Sequence, residues 1–275
     1  MKKFKKKNTR TFKNQKTCLV KKEKIPKKSF FIYGMKPVLE FLKHKPEKIK
    51  SIFLLKDKKI DEDFLIKIKK ASKNKKIDIK SIDNKFVKNN IGEDINHQGI
   101  VAQIINFDYQ SFNQWKEESE KRKKELILIL DKVEDVHNFG AIIRTAAAAD
   151  VSAIFVSSHK QAPINGTVFK TSAGNLLKIN IVQVVNINDL INKVKKEGFW
   201  LYGLDMSDQE SESIFEQKFD KKTAFVLGSE ENGISKKTLE HCDFVTSIPM
   251  DKGVESLNVS VTGAVAMYEW KRQNK

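Results

Sequence analysis

Residues 126–130 read Leu-Ile-Leu-Ile-Leu, five apolar side chains in a row. A strand with one wet face alternates apolar and polar residues. A strand this uniformly apolar belongs in a parallel sheet covered on both faces. Parallel neighbours need crossover connections, so the run constrains what must follow it. The sequence supplies the partners: AIFVS (153–157), KINIVQVV (178–185), FWLYGL (199–204), TAFVL (223–227) and DFVTSI (243–248). Helical stretches separate them, notably AIIRTAAAAD (141–150) and INDLINKVKKEG (187–198). The pattern predicts a doubly wound α/β domain over residues 126–275, binding its ligands at the C-terminal ends of the strands.

A second, smaller α/β unit is predicted over residues 29–106. Its strands are IKSIFLL (49–55), KIDIK (76–80) and QGIVAQII (98–105). Its helices are GMKPVLEFLKH (34–44), DEDFLIKIKKASKN (61–74) and DNKFVKNN (83–90). Pro37 suits a first helical turn, with Val38, Leu39 and Leu42 to one side; Phe64, Leu65, Ile68 and Ala71 share a face of the next helix. The lone His97 is read as shaping a loop. Residues 107–125 are polar and charged and read as a partly helical linker.

Composition matters most at the N-terminus. The chain has a formal net charge of +17, and residues 1–28 hold thirteen Lys or Arg against one acid, Glu23. Such a stretch cannot bury a core and is expected to be disordered alone. A charge run can be merely solubilising, but a lysine tail also attracts any polyanion through counterion release, and RNA is the better partner. Cys18 and Cys242 lie far apart without CxxC spacing, which excludes a disulfide framework or a zinc site. No metal is expected. No apolar run reaches bilayer length and the first residues lack the apolar core of a signal peptide, so a reduced, cytoplasmic protein is expected.

Three loops each follow a predicted strand. DKVEDVHNFGAIIRTA (131–146) offers Asn138 as a helix cap, Gly140 for a close turn and Arg144 one turn on, where it could reach a phosphate or carboxylate. In LGSEENGIS (227–235), Gly228 and Gly233 bracket four polar residues. IPMDKGVESLNVS (248–260) leaves a strand and enters a helix. Each alone has a turn or capping explanation. Together at one sheet edge they describe a pocket, without GxxxxGK[ST] or GxGxxG nucleotide fingerprints.

These loops resemble the three motifs of the SpoU (TrmH-like) branch of the SPOUT RNA methyltransferases. NxGxxxR is met by Asn138, Gly140 and Arg144; GxExxG by Gly228, Glu230 and Gly233; and IPM…SLNxS by Ile248, Pro249, Met250, Ser256, Leu257, Asn258 and Ser260. The front domain, with IYG (32–34) and HQGI (97–100), resembles that subfamily's small RNA-binding domain, which is similar to a ribosomal protein fold. Val136 stands where the family often has proline, and Lys252 where it commonly has glycine, with Gly253 next.

The resemblance implies a knotted (trefoil) Rossmann-like C-terminal domain, a homodimer, and S-adenosylmethionine bent into the knot. It implies cofactor binding by Gly228, Ile248, Met250, Leu257 and Val259. The catalytic set would be Asn138, Arg144, Glu230, Ser256 and Asn258. Arg144 would grip the substrate phosphate and hydroxyl, since a guanidinium is a poor base. Asn138 would orient them, Glu230 fix the loop or Arg144, and Ser256 and Asn258 complete the pocket. Leu257, Val261, Ala264 and Ala266 or Met267 are available for a subunit contact. The implied reaction is ribose 2′-O-methylation of a guanosine in large-subunit ribosomal RNA. The alternatives are a transfer-RNA enzyme of the same family, a resistance methyltransferase, or a non-catalytic RNA-binding assembly protein.

Overall fold

A computed structural model describes residues 30–92, 95–206, 211–254 and 256–275. The basic stretch 1–28 and Cys18 lie outside the described residues. The described residues begin with β1 (Phe30–Tyr33), α1 (Met35–His44), β2 (Ile49–Leu55), α2 (Glu62–Lys75), β3 (Asp78–Ile82), α3 (Asn84–Asn90) and β4 (Ile100–Ile104). These strands form one sheet in the order β1-β4-β2-β3, with β4 antiparallel to both neighbours and β2 parallel to β3. The β1 strand has no counterpart in the sequence reading. FFIY is too short for alternation to reveal it, yet β4 is buried along its whole length and requires a partner on each edge.

Helices α1 and α2 cover one face with Val38, Phe41, Leu42, Phe64 and Ile68. Asp61 and Asp83 cap α2 and α3 by accepting the Phe64 and Phe86 N–H groups. His97 does shape a loop. It is buried, and its Nδ1 accepts the Gly99 N–H at 3.1 Å. Burial, with Lys58 and Lys170 adding to it, holds this imidazole below its usual range.

Next come α4 (Phe112–Ser119), β5 (Glu125–Leu130), α5 (Val136–Ala149), β6 (Ala153–Ser157), α6 (Gly166–Thr171), β7 (Asn180–Val184), α7 (Ile187–Lys196) and β8 (Trp200–Leu204). The remainder is β9 (Glu212–Ser213), β10 (Lys222–Leu227), α8 (Lys236–Leu239), β11 (Phe244–Ser247) and α9 (Val259–Gln273). The second sheet runs β7-β6-β5-β10-β8-β11-β9, and every pairing in it is parallel. The six strands read from sequence are present, and two-residue β9 adds an edge.

The period of two explains the apolar run. Leu126, Leu128 and Leu130 belong to one core with Phe139, Ile142 and Ile143 of α5 and Met267 and Trp270 of α9. Ile127 and Ile129 belong to the opposite core with Leu190, Ile191 and Val194 of α7. Each of these side chains contributes about 1.5–3 kcal/mol on burial.

The stretch read as a linker carries α4, whose Ser111–Gln114 capping box starts it. Trp115 of α4 is fully buried in that second core, edge-on to Phe155 at 4.9 Å. Its Nε1–H and the Ser119 hydroxyl both donate to the buried Glu125 carboxylate, which also receives Arg122. This segment is therefore packed into the larger domain.

Two features of the path position the site. Strand β10 lies between β5 and β8, so the exits of all three stand side by side at the switch in strand order. After β11 the chain doubles back, and α9 packs on α5. The smaller domain also touches the larger one, through α6. Gly166 sits so close to β1 that a Cβ there would fall 2.1 Å from the Phe31 carbonyl oxygen. Beside it the Tyr33 and Thr167 hydroxyls bond at 3.1 Å, and the Phe41 and Phe169 rings meet at 5.2 Å.

Candidate active site

The loop after β10 closes on itself. Ser229 N–H donates to the Gly233 carbonyl at 2.9 Å, and Gly233 N–H returns a bond to the Ser229 carbonyl at 3.0 Å. Both glycines are required by this hoop. A Cβ on Gly228 would lie 2.0 Å from the Gly233 carbonyl carbon, and Gly233 has φ +63°. Two carboxylates from the flanking strand exits then hold the hoop: Asp205 accepts the Ile234 N–H at 3.3 Å and Asp131 accepts the Ser235 N–H at 3.0 Å. Glu230 projects from the hoop.

At the start of α5, the cap is Asp135, which accepts the Asn138 N–H at 2.7 Å. Asn138 is therefore not the cap, as the sequence reading had it; it lies one turn inside and its side chain is free for other contacts. Gly140 likewise serves no turn. It is a helix-interior residue where a Cβ would fall 2.6 Å from Thr171 Cβ, so it lets α5 and α6 approach.

Asn258 caps α9: its Oδ1 accepts the Ser260 N–H at 2.9 Å and the Ser260 hydroxyl at 2.6 Å. That cap fixes which end of the amide points away. Asn258 Nδ2 donates to Asn138 Oδ1 at 2.9 Å, and Asn138 Nδ2 in turn donates to Glu230 Oε1 at 2.7 Å. One directed chain of hydrogen bonds thus joins all three loops.

The chain borders a cavity of about 640 Å³. Gly228, Ile248, Leu257 and Val259 line it, as do Glu230, Ser256 and Asn258. Asn138 stands at its edge through its two bonds. Met250 does not line the cavity, and Arg144 does not either. Arg144 is exposed on α5, six residues past Asn138. Six residues advance about 9 Å and turn about 120° away on a helix, so the two side chains of one subunit diverge. Among the described residues Arg144 has no ion-pair partner.

Asp205 and Thr262 line the cavity and were not singled out from sequence. The signal for Asp205 was available: it follows strand FWLYGL directly, at the same sheet edge as the other loops. Thr262 lies one turn into α9 and becomes visible only when that helix is placed. Among the described residues no group of three or more His, Cys, Asp or Glu could hold a metal ion. No helix among them is long and apolar enough to cross a membrane.

Residues 125–268 match the SpoU rRNA Methylase family. This chain belongs to the SpoU rRNA methylase family. Residues 31–110 match a second family, RNA 2′-O ribose methyltransferase substrate binding. A Xanthomonas campestris protein named 23S rRNA (guanosine-2′-O-)-methyltransferase RlmB is 37% identical over 205 residues, covering 72% of this chain and 79% of that protein. A Xylella fastidiosa protein of the same name is 32% identical over 253 residues, covering 90% of this chain and 98% of the relative. The AdoMet-bound rRNA methyltransferase from Sinorhizobium meliloti shares the fold, with a TM-score of 0.74 at 21% identity over 89% of this chain and 87% of that one. The matched span 125–268 contains all three loops that the hydrogen-bond chain connects.

Proposed function

We propose that this SpoU family member methylates the ribose 2′-hydroxyl of a guanosine in 23S ribosomal RNA, using S-adenosylmethionine. The observation that carries the reading is the Asn258–Asn138–Glu230 chain at the rim of the cavity. The names of the relatives support the guanosine and the ribosomal RNA. The residues present suit the cofactor: the volume is that of a nucleoside-sized site, and the Gly228 hoop offers bare backbone as a wall.

The cofactor supplies an electrophilic methyl group on a sulfonium. Gly228, Ile248, Leu257 and Val259 hold its adenosine part; Met250, outside the wall, is left out of this set. Asn138, Ser256 and Asn258 orient the ribose hydroxyl, and Glu230 keeps Asn138 in place. Orientation of this kind is where such a site gains most of its rate.

Arg144 grips the substrate phosphate. Because it faces away from its own cavity, it acts from a second copy in a homodimer. Val261 and Tyr268 of α9, with Leu257 just ahead of its cap, offer exposed apolar side chains for that contact. Ala266 and Met267 are fully buried inside the subunit and do not contribute to it. In this reading residues 29–106 bind RNA, residues 1–28 add polyanion affinity, the C-terminal domain is threaded as a trefoil, and the enzyme acts in the cytoplasm.

Mass-spectrometric mapping of ribose methylation in ribosomal and transfer RNA, with and without the gene, tests the reading. Loss of one 2′-O-methylguanosine from 23S RNA is the expected result. A lost transfer-RNA mark would move the substrate, and an unchanged map would reject the activity.

A further inference from the structure

One loop of the smaller domain, residues 96–99, is bracketed by lysines from both domains. At its end, a Cβ added to Gly99 would stand 3.1 Å from Lys58 Cβ, so the stem of Lys58 packs on the loop. At its start, the Asn96 carbonyl accepts the Lys170 ammonium of α6 at 3.2 Å. Between them lies buried His97, whose imidazole is held low by burial first and then by Lys58 and Lys170, so it adds no third positive charge at neutral pH. Both lysines are exposed. Lys58 also stands in a turn with Lys56 and Lys59 against one acid, Asp57.

Lys170 is held in place. Its Nζ lies 5.4 Å from the centre of the Tyr33 ring, and Tyr33 is itself buried in β1 with its hydroxyl bonded to Thr167. A carbonyl and a ring orient the ammonium without neutralising it, and an ammonium has three protons to donate. Among the described residues neither Lys58 nor Lys170 forms an ion pair. Two like charges flanking one loop repel, and an anion bound between them relieves the repulsion. The same helix leads back to the active site. Thr171, next in sequence, is the residue that a Cβ on Gly140 would meet at 2.6 Å. Gly140 is two residues from Asn138, about 3 Å along α5.

We propose that Lys58 and Lys170 form a binding site for a phosphodiester of the RNA backbone, at the seam between the domains and outside the cofactor cavity. A phosphate gripped there ties RNA held by the smaller domain to α6, and through α6 to α5 and Asn138. The site rests on the methyltransferase reading above. It takes a nucleotide other than the one that reacts, so both lysines are positioning residues that set RNA affinity and leave the rate of methyl transfer alone.

Filter binding across a salt series and steady-state methyl transfer test it, with the full-length protein and 23S RNA transcribed in vitro. Lys58→Met and Lys170→Met keep the hydrocarbon stem and remove the charge. Each should raise KM for RNA about threefold. Each should also flatten the slope of log affinity against log salt by about 0.7–0.9. The kcat and the affinity for S-adenosylmethionine should stay at wild-type values. Lys170→Arg should restore the slope, and Lys67→Met on exposed α2 should leave it unchanged. Equal flattening by Lys67→Met would mean that diffuse basicity binds the RNA, and would overturn the site. So would a Lys170→Met protein with a lowered melting temperature and a wild-type slope, because Lys170 would then be a strut between the domains. Inorganic phosphate added at constant ionic strength should not displace the RNA; strong competition would make the seam a site for free phosphate and overturn the backbone assignment. If the wild type binds no 23S RNA, the ribosomal reading itself fails and the seam site with it. That result is distinct from wild-type binding that the lysine variants leave unchanged, which overturns the site alone.

Discussion

Asn138 Nδ2 donates to Glu230 Oε1 at 2.7 Å across 92 residues of sequence. This bond ties the first turn of α5 to the hoop after β10. Because Asn138 Oδ1 is already taken by Asn258, the amide cannot turn over without breaking both bonds.

That directionality makes Asn138→Asp a sharp test. The substituted side chain still accepts from Asn258 but sets a carboxylate against Glu230. Methyl transfer should fall by about 10²-fold or more, as expected when an orienting group is lost. The bonds are exposed and each is worth only about 1 kcal/mol, so the melting temperature should barely move. Single-turnover kinetics beside a thermal melt separates the two effects. Full activity in this variant would remove the chain from the mechanism.

Gly166 of α6 packs directly against β1 of the smaller domain. Gly166→Ala must push β1 away from α6, at about 1–3 kcal/mol, the usual cost of overpacking. The cavity is built from the β8, β10 and β11 exits, away from this seam. Cofactor affinity should therefore hold while KM for RNA rises. Calorimetry and steady-state kinetics on the same preparation check both.

Cys242 offers a pH signature. Burial pushes its thiol up to about 12 from an ordinary value of 9.0. The unfolded thiol therefore ionises first, between about 9 and 12, while the folded thiol keeps its proton. Stability is unaffected below that window and falls as pH rises through it. Urea melts at pH 8 and pH 10.5 should show a larger alkaline loss in the wild type than in Cys242→Ala. Equal losses would contradict the shift.

Deleting residues 1–28 removes thirteen basic side chains. RNA binding should weaken and its dependence on salt should become shallower, with the same nucleotide still modified. Filter binding across a salt series measures the slope. A changed modification site would show that this segment reads sequence.

Much of the larger domain was written locally. Leu126–Leu130 declared a strand buried on both faces, and the strand-helix rhythm after it announced a parallel sheet with ligands at one edge. The motif residues Asn138, Glu230 and Asn258 were legible as polar groups placed where a core has no use for them. The capping of α5 was misread because Asp135 and Asn138 are both good caps, and only backbone geometry separates them. Strand β1 was invisible because four residues carry too little pattern. The burial of Trp115 was hidden inside a polar stretch, since one aromatic side chain can anchor a helix whose other residues face water.

The sequence by itself determined element type, the sheet edge that binds, and the residues gathered there, because these follow from side-chain periodicity and chemistry along a few neighbouring positions. Tertiary structure alone decided which of those residues meet. Inserting β10 between β5 and β8 brought Glu230 to Asn138 and hung the hoop from Asp131 and Asp205. Helix geometry turned Arg144 away from the same cavity. Contacts across a hundred residues depend on strand order and helix rotation, which no local window of sequence encodes.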